Sequence, residues 1–232
     1  MNIINASYTI LTDIDGIQIL KNIEKVGRVC YKSEDKITED GESAIKFCKM
    51  IVNNHHEAML EHGGSISVLF TEDRGVTHEH VRHRIASFAQ ESTRYCNYSQ
   101  DKFGGDINVI NIEPGLRVEN KYTEDQINKI LDIWQDAMKK AEESYMSMIE
   151  AGATPQMARS VLPQSVKADI TITANIREWR HILSLRAAGV TGKPHPQMVE
   201  VMVPLLKEFH ERIPVLFDDI YEAAIEKGYI DE

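Results

Sequence analysis

Residues 169–175 constrain the fold most, because polar and apolar side chains alternate strictly along them. The apolar residues at 170, 172 and 174 would face one side of a strand, and the polar residues between them would face the other. Such a strand needs a sheet with one covered face. A helix is predicted directly afterwards, over residues 177–187, so Asn175 and Arg177 would lie where the strand leads into the helix. This kind of position commonly holds a ligand.

Similar patterns predict the other elements. A second strand is expected at 64–71, and residues 98–122 are expected to form a long loop that contains Gly104, Gly105, Pro114 and Gly115. The clearest helix is 124–151, where Thr123 and Gln126 can form a capping box and Gly152 stands at the C-terminal stop. Helices are also predicted at 17–27 (ending at Gly27), at 41–54, in a short segment ending at Pro163, and at 195–227, where a kink can form near Pro204 and Pro214.

The chain has 232 residues and no linker or repeat, so one domain over 1–232 is the simplest interpretation. Its net charge of -10 argues against general nucleic-acid binding, which needs a basic surface. The apolar runs are too short for a membrane span and the N-terminus lacks a signal peptide, so we expect no membrane partner and a cytoplasmic location. Three cysteines favour neither a disulfide framework nor a Cys-rich metal site.

The arginines are unevenly distributed. Six of eleven lie in two short windows, 82–94 and 177–186. A guanidinium group binds phosphate or carboxylate through two parallel hydrogen bonds. The windows therefore indicate either an anion site or a solvated helix face paired with nearby acids.

Neutral hydrogen-bonding residues among these arginines favour the anion site over a solvated face. A helix over residues 87–94 would place Ser87, Gln90, Glu91 and Arg94 on one face. In the second window, Asn175 and Arg177 lie at the end of the predicted strand, and the helix that follows carries His181 and Arg186.

Two alternative sites involve other residue types. Six of nine histidines lie within residues 55–83, and His78, His80 and His83 could act with Glu79 as ligands of a catalytic zinc, although no His-Glu-x-x-His motif occurs. Cys96 lies close to the arginines, which could lower the pKa of its thiol, but nothing marks it as a nucleophile.

Residues 82–95 read Arg-His-Arg, seven further residues, then Ser-Thr-Arg-Tyr. This resembles the signature of the flavin-dependent thymidylate synthases. Further resemblances occur in the family's order and span most of the chain: Gly-Arg-Val-Cys-Tyr at 27–31, His-Glu-Ala-Met-Leu-Glu-His at 56–62, Ala-Arg-Ser-Val-Leu-Pro at 158–163, and Asn-Ile-Arg at 175–177 followed by His181 and Arg186.

The resemblance implies an α+β fold, with an antiparallel sheet packed against several helices, in a homotetramer that shares active sites between subunits. It implies synthesis of dTMP from dUMP, with methylenetetrahydrofolate as the carbon donor and FAD, reduced by NADPH, as the hydride source. No protein cysteine nucleophile is needed for this chemistry.

The resemblance also assigns residues. Arg186 would be catalytic, stabilising negative charge that develops on the uracil ring. The dUMP-binding residues would be Glu79, His80, Val81, Arg82, Gln90, Glu91, Ser92, Thr93, Arg94, Arg159 and Arg186. The FAD-binding residues would be His56, Ala58, Arg82, His83, Arg84, Gln90, Asn175, Ile176, Arg177 and His181, and no metal ligand is implied.

Three positions depart from the family pattern. Ala58 replaces a hydroxyl residue that meets FAD, Gln90 follows Ala89 where an Asn-Glu pair is common, and Glu79 would repel a phosphate unless its charge is paired. Two other functions stay open: a metal-dependent hydrolase using His78, His80 and His83, and a protein that binds a nucleotide without catalysis.

Overall fold

In the computed structural model, which describes residues 1–100 and 104–231, the alternating segment forms strand β6 (Lys167–Asn175). Ala168, Ile170, Ile172 and Ala174 are buried, and the intervening residues are half-buried, as predicted. The strand ends where the Asn175 side chain accepts a hydrogen bond from the main chain of the next helix.

The other strands are short, except for one. They are β1 (Asn2–Ile4), β2 (Ser7–Ile10), β3 (Ser65–Asp73), β4 (Ser87–Gln90) and β5 (Asn108–Ile110).

The helices of the described residues include one long helix, α5, which begins with the predicted capping box of Thr123 and Gln126. They are α1 (Gly16–Val29), α2 (Glu42–Asn53), α3 (Arg74–His80), α4 (Glu113–Val118), α5 (Glu124–Glu150), α6 (Pro155–Ala158), α7 (Ile176–Arg186), α8 (Pro196–Arg212) and α9 (Asp218–Glu226), with 3₁₀ turns at Glu34–Lys36, Glu57–Gly63 and Arg159–Val161.

Four strands form one sheet in the order β2-β3-β6-β4. Strands β3 and β6 run in opposite directions: Ser67 bonds Thr173, whereas Thr71, further along β3, bonds Asp169, earlier on β6. The predicted α+β class with an antiparallel sheet is confirmed. A second sheet was not predicted: β1 and β5 pair in parallel, with Ile3 opposite Val109.

Internal contacts divide the chain into two units. The first consists of Met1–Ser7, Phe70–Arg82 and Phe88–Thr171. Its core lies under α5, where Tyr145 and Met138 pack with Tyr98 and Val109.

The second unit consists of Tyr8–Leu69, His83–Ser87 and Ile172–Glu232. Here α1 packs on α2, and α7 packs on α8 and α9. Trp179 of α7 is fully buried, stacks edge-on against Phe209, and donates its indole N–H to the carbonyl of Ile66 at 2.9 Å. The interpretation of 1–232 as one domain stays a prediction.

Several expected boundaries were wrong. Helix α1 continues past Gly27 to Val29, and residues 87–90 form a strand, so residues 87–94 do not share a helix face. The expected loop 98–122 contains β5 and α4, while its residues 101–103 lie outside the described residues. The expected helix 195–227 is two helices: Pro204 stays inside α8, and the chain breaks around Pro214. None of the helices in residues 1–100 and 104–231 is both long and apolar enough to cross a membrane.

Candidate functional site

The second unit contains a cavity of about 780 Å³ at the ends of α1 and α2. That volume is within the range of small-molecule sites, roughly 300–1,000 Å³. Three of the family-like segments contribute to it: residues 27–31 through Gly27, Cys30 and Tyr31, residues 56–62 through His56, Ala58 and Met59, and residues 175–177 through Arg177.

The cavity wall combines apolar and cationic groups. Phe47, Met50 and Ile51 of α2 supply aromatic and aliphatic surface. Arg177, at the start of α7, donates to Glu61 at 2.7 Å and lies 3.6 Å from Glu57. The paired carboxylates raise the pKa of Arg177, chiefly through the hydrogen bond with Glu61.

The side chains of Asn175 and Ile176 have structural roles in the fold. The Asn175 side-chain oxygen accepts from the main-chain N–H of Glu178 at 2.9 Å, which caps α7. Ile176 is fully buried, and a Cβ on Gly63 would lie only 2.8 Å from it. Of the predicted FAD residues, Ile176 can therefore offer a ligand its main chain only.

At the far end of α7, three predicted site residues of the second unit come together. Arg186 donates from Nε to Nε2 of His83 at 3.2 Å, and the ring of His83 meets the ring of His181 at 5.5 Å. Because Nε2 of His83 accepts this bond, its proton is on Nδ1, which lies 3.9 Å from a carboxylate oxygen of Glu178. Burial raises the pKa of Glu178, while His181 and Arg177 oppose the rise.

The first unit contains a smaller cavity, of about 390 Å³. Two predicted dUMP residues line it: Arg159 donates from Nη1 to the hydroxyl of Thr93 at 3.3 Å. Arg74 lines it as well. It donates from Nη2 to the main-chain carbonyl of Glu91, and its buried Nε has no hydrogen-bond partner among the described residues. The arrangement can hold a phosphate or a carboxylate.

Arg74 was missed as a candidate from the sequence. It is the first residue after strand β3, and Arg177 is the second residue after β6, so a cation placed just after a predicted strand was the available signal. Because the strand was predicted to end at residue 71, two residues too early, Arg74 was not recognised as the residue that follows it.

Other predicted dUMP residues are held by internal bonds. Gln90 donates its amide to Thr77 at 3.0 Å. Glu91 bonds Lys167 and Tyr98. The hydroxyl of Ser92 accepts from the main-chain N–H of Arg94 at 3.3 Å.

Three further predicted dUMP residues lie at the end of α3: Glu79 and His80 in its last turn, and Val81 directly after it. His80 is fully buried and bonds Glu72 at 3.1 Å, so only its main chain can reach a ligand. Glu79 is half-buried, and Val81 is 40% exposed.

The arginines of the first window are free of acids. Arg82, Arg84 and Arg94 are exposed, and none forms an ion pair with a described residue. The described residues thus give no support to the alternative of a solvated face paired with acids in this window.

The side chains of the histidine-rich window, residues 55–83, do not form a metal-binding group among the described residues. Among residues 1–100 and 104–231, no group of three or more His, Cys, Asp or Glu side chains is arranged around a common point where a metal could bind. Cys96 is a half-buried thiol.

Comparisons with known proteins agree with these segments. A family model described as "Thymidylate synthase complementing protein" matches residues 15–215. A flavin-dependent thymidylate synthase of Corynebacterium aurimucosum is 30% identical over 207 residues, covering 89% of this chain and 82% of the relative. One of Pyrococcus abyssi is 30% identical over 181 residues, covering 78% and 68%.

Among solved structures, the UMP/dUMP methylase PolB of Streptomyces cacaoi, bound with 5-Br dUMP, matches with a TM-score of 0.77. The match covers 100% of both chains at 22% identity. At this identity the likeness concerns the fold.

Proposed function

The chain belongs to the family of flavin-dependent thymidylate synthases, and from this membership we propose that it converts dUMP to dTMP by reductive methylation. The carbon donor would be 5,10-methylenetetrahydrofolate, and the hydride would come from FAD reduced by NADPH. The observation that carries the proposal is the 780 Å³ cavity, because three separate family-like segments meet there.

The residues of this cavity fit a flavin nucleotide. Tyr31, Phe47 and Met50 supply surface for a planar ring system, while His56 and Arg177 supply donors for phosphate oxygens. Ala58 lines the same wall, so a main-chain contact there can replace the missing hydroxyl. With His83, Arg84, His181, Asn175 and Ile176 of the same unit, and with Arg82 and Gln90, these are the residues we propose for FAD. Bound flavin supplies hydride chemistry that protein side chains lack.

Arg186 is the proposed catalytic residue. Its guanidinium group cannot act as a base at neutral pH, but it stabilises negative charge that develops on the pyrimidine ring. His83 accepts the Nε–H of Arg186, which orients the guanidinium group at the end of α7. Removing such a donor typically costs about 100-fold to 1,000-fold in turnover.

The anion-binding cavity of the first unit is the proposed site for the dUMP phosphate. Arg159 and Thr93 would hold it, together with the exposed Arg82 and Arg94. Arg74 adds a second cation to the cavity wall. The proposed nucleotide segment is completed by Glu79, His80, Val81, Gln90, Glu91 and Ser92.

The remaining predictions rest on the family resemblance. They are the use of NADPH and methylenetetrahydrofolate, a homotetramer with shared sites, and a cytoplasmic location.

The test is an absorbance spectrum of the purified protein followed by an assay of dTMP formation. We expect flavin bands, and dTMP only when dUMP, NADPH and methylenetetrahydrofolate are all present. Activity that survives a chelator would separate this function from a metal-dependent hydrolase. A protein that binds dUMP and FAD but forms no dTMP would refute the proposal in favour of non-catalytic binding.

A further inference from the structure

A charged cluster in the first unit lies directly beside the proposed nucleotide segment. Lys167 of β6 contacts Oε2 of Glu91 at 2.8 Å and Oδ2 of Asp169 at 2.6 Å. The side chains of Lys167 and Glu91 are only 19% and 15% exposed. Pairs shielded to this degree from water interact more strongly than surface pairs.

Glu91 is fixed through both its side chain and its main chain. Oε1 accepts from the hydroxyl of Tyr98 at 2.8 Å, and Oε2 accepts from Lys167 and, at 3.3 Å, from the N–H of Asp169. The N–H of Glu91 donates to the carbonyl of Asp169 at 2.8 Å. Its own carbonyl accepts from Arg74, which lines the anion-binding cavity. Both carboxylate oxygens are therefore used within the protein.

The residues after Glu91 depend on this anchor. Ser92 begins a turn in which its carbonyl accepts from the N–H groups of Tyr95 and Cys96. Thr93, the next residue, meets Arg159 in the cavity. The bonds of Glu91 to Lys167 and Asp169 hold the start of this segment against β6.

Lys167 also balances charge. Without Lys167, the carboxylates of Glu91 and Asp169 would place two uncompensated negative charges beside the cavity that we propose for a phosphate. Burial opposes the charged form of Lys167, but the hydrogen bonds that it donates to Asp169 and Glu91 outweigh this effect and raise the pKa of the ammonium group. Lys167 is thus charged throughout the neutral range.

We propose that Lys167 and Glu91 are positioning residues for dUMP: the ion pair sets the main chain of residues 91–93 so that Thr93, Arg159 and Arg74 converge on the phosphate. Glu91 then contributes through this anchor and not through a contact with the nucleotide. The inference rests on the proposed function.

The experiment compares three variants of the full chain: Lys167→Met, Lys167→Arg and the control Lys140→Met. Lys140 forms an exposed ion pair with Glu143 on α5, so its loss removes a lysine–glutamate pair outside the cavity. The measurements are KM for dUMP, kcat, flavin content and the thermal midpoint.

We expect Lys167→Met to raise KM for dUMP about tenfold at nearly unchanged kcat and flavin content, because a displaced segment weakens phosphate binding. Lys167→Arg should restore KM to within about threefold of the parent, since it keeps the charge beside Glu91. Lys140→Met should match the parent. If Lys167→Met does not fold, Glu91→Gln carries the same expectation, because it removes the ion pair while keeping the volume.

Two results would overturn the inference alone in an active parent enzyme. One is a folded Lys167→Met or Glu91→Gln variant with normal KM for dUMP. The other is an equal loss of flavin content, thermal midpoint and KM that Lys167→Arg does not rescue. A parent protein that neither binds nor converts dUMP overturns the proposed function, and this inference with it.

Discussion

The two arginine-rich windows look alike in the sequence but differ in the structure. In the first, Arg82, Arg84 and Arg94 are exposed and form no ion pair with a described residue. In the second, Arg177 pairs with Glu61, and Arg180 pairs with Asp219. Local cation density does not distinguish a free guanidinium group from a paired one, because the pairing acid lies far away in sequence.

The comparison separates two roles that the same side chain can have. A free arginine near a cavity contributes binding energy that shows only when a ligand is present. A buried, bidentate arginine contributes to the free energy of unfolding whether or not a ligand is bound. Arg186 differs from both in the bond of its Nε–H, which goes to a ring nitrogen of His83 and not to a carboxylate.

The largest expected effect comes from Arg186→Ala. We expect kcat for dTMP formation to fall about 100-fold or more while flavin content stays at the parent level, because charge stabilisation on the pyrimidine is lost. Arg186→Lys should recover only part of the loss, since a single ammonium group cannot both bond His83 and present the paired donors of a guanidinium group. Near-normal turnover in Arg186→Ala would show that Arg186 is no more important than a surface arginine such as Arg117, whose alanine variant is the control.

The next effect concerns stability. Arg180 is 9% exposed, reaches both carboxylate oxygens of Asp219 at 2.7 and 2.8 Å, and donates to the carbonyl of Leu216. We expect Arg180→Met to lower the free energy of unfolding by about 2 kcal/mol, measured by urea denaturation, without changing KM for dUMP.

The matched variant for stability is Arg177→Met. Its ion pair with Glu61 is nearly half exposed on both sides, so its loss should lower the free energy of unfolding much less than Arg180→Met does. Equal losses in the two variants would break the distinction between buried and exposed pairs within one window.

A smaller effect is expected for Arg159→Ala in the first unit. Because the Arg159 side chain is exposed and bonds Thr93 among the described residues, its removal should leave the thermal midpoint close to that of the parent. KM for dUMP should rise about tenfold, the usual cost of one charge-assisted hydrogen bond. A lowered midpoint with an unchanged KM would instead place Arg159 with the structural arginines.

The smallest effect is the pH dependence from Glu178. Burial raises the pKa of its carboxyl group, so the folded chain holds the proton more tightly than the unfolded chain. The resulting stabilisation is complete below the unfolded pKa, about 4.3, and is lost as the pH rises through the folded pKa.

Glu178→Gln, which is uncharged at every pH, should therefore be slightly more stable than the parent at pH 7. The difference should disappear near pH 4. Denaturation midpoints at the two pH values measure it, with the exposed Glu143→Gln as the control. A parent that is the more stable protein at pH 7 would mean that the ionised carboxylate is favoured by its neighbours.

The elements with strong local patterns could be predicted from the sequence. Strand β6 and helix α5 follow from side-chain periodicity and capping residues alone. The pairing of β1 with β5 could not, because Ile3 and Val109 are distant in the chain and each strand has only three residues. Residues 98–122 therefore looked like a loop.

Gly27 illustrates a different error. Glycine after a periodic segment usually ends a helix, yet α1 continues through it. A Cβ at this position would lie 2.5 Å from the ring of Phe47, so the glycine allows α1 and α2 to approach closely. For the candidate site, the family-like motifs identified the segments, whereas the bonds that hold Gln90, Glu91 and His80 inside the protein needed the structure.

The cavity in the second unit has a cysteine, Cys30, on its wall, and this cysteine can be labelled chemically. Cys30 is exposed, whereas burial raises the pKa of Cys48 to about 12, which keeps it a thiol. In a Cys96→Ser background, a maleimide dye should therefore label a single position at the edge of the proposed FAD site. Protection of Cys30 from the dye would then report occupancy of the cavity directly, with no turnover required.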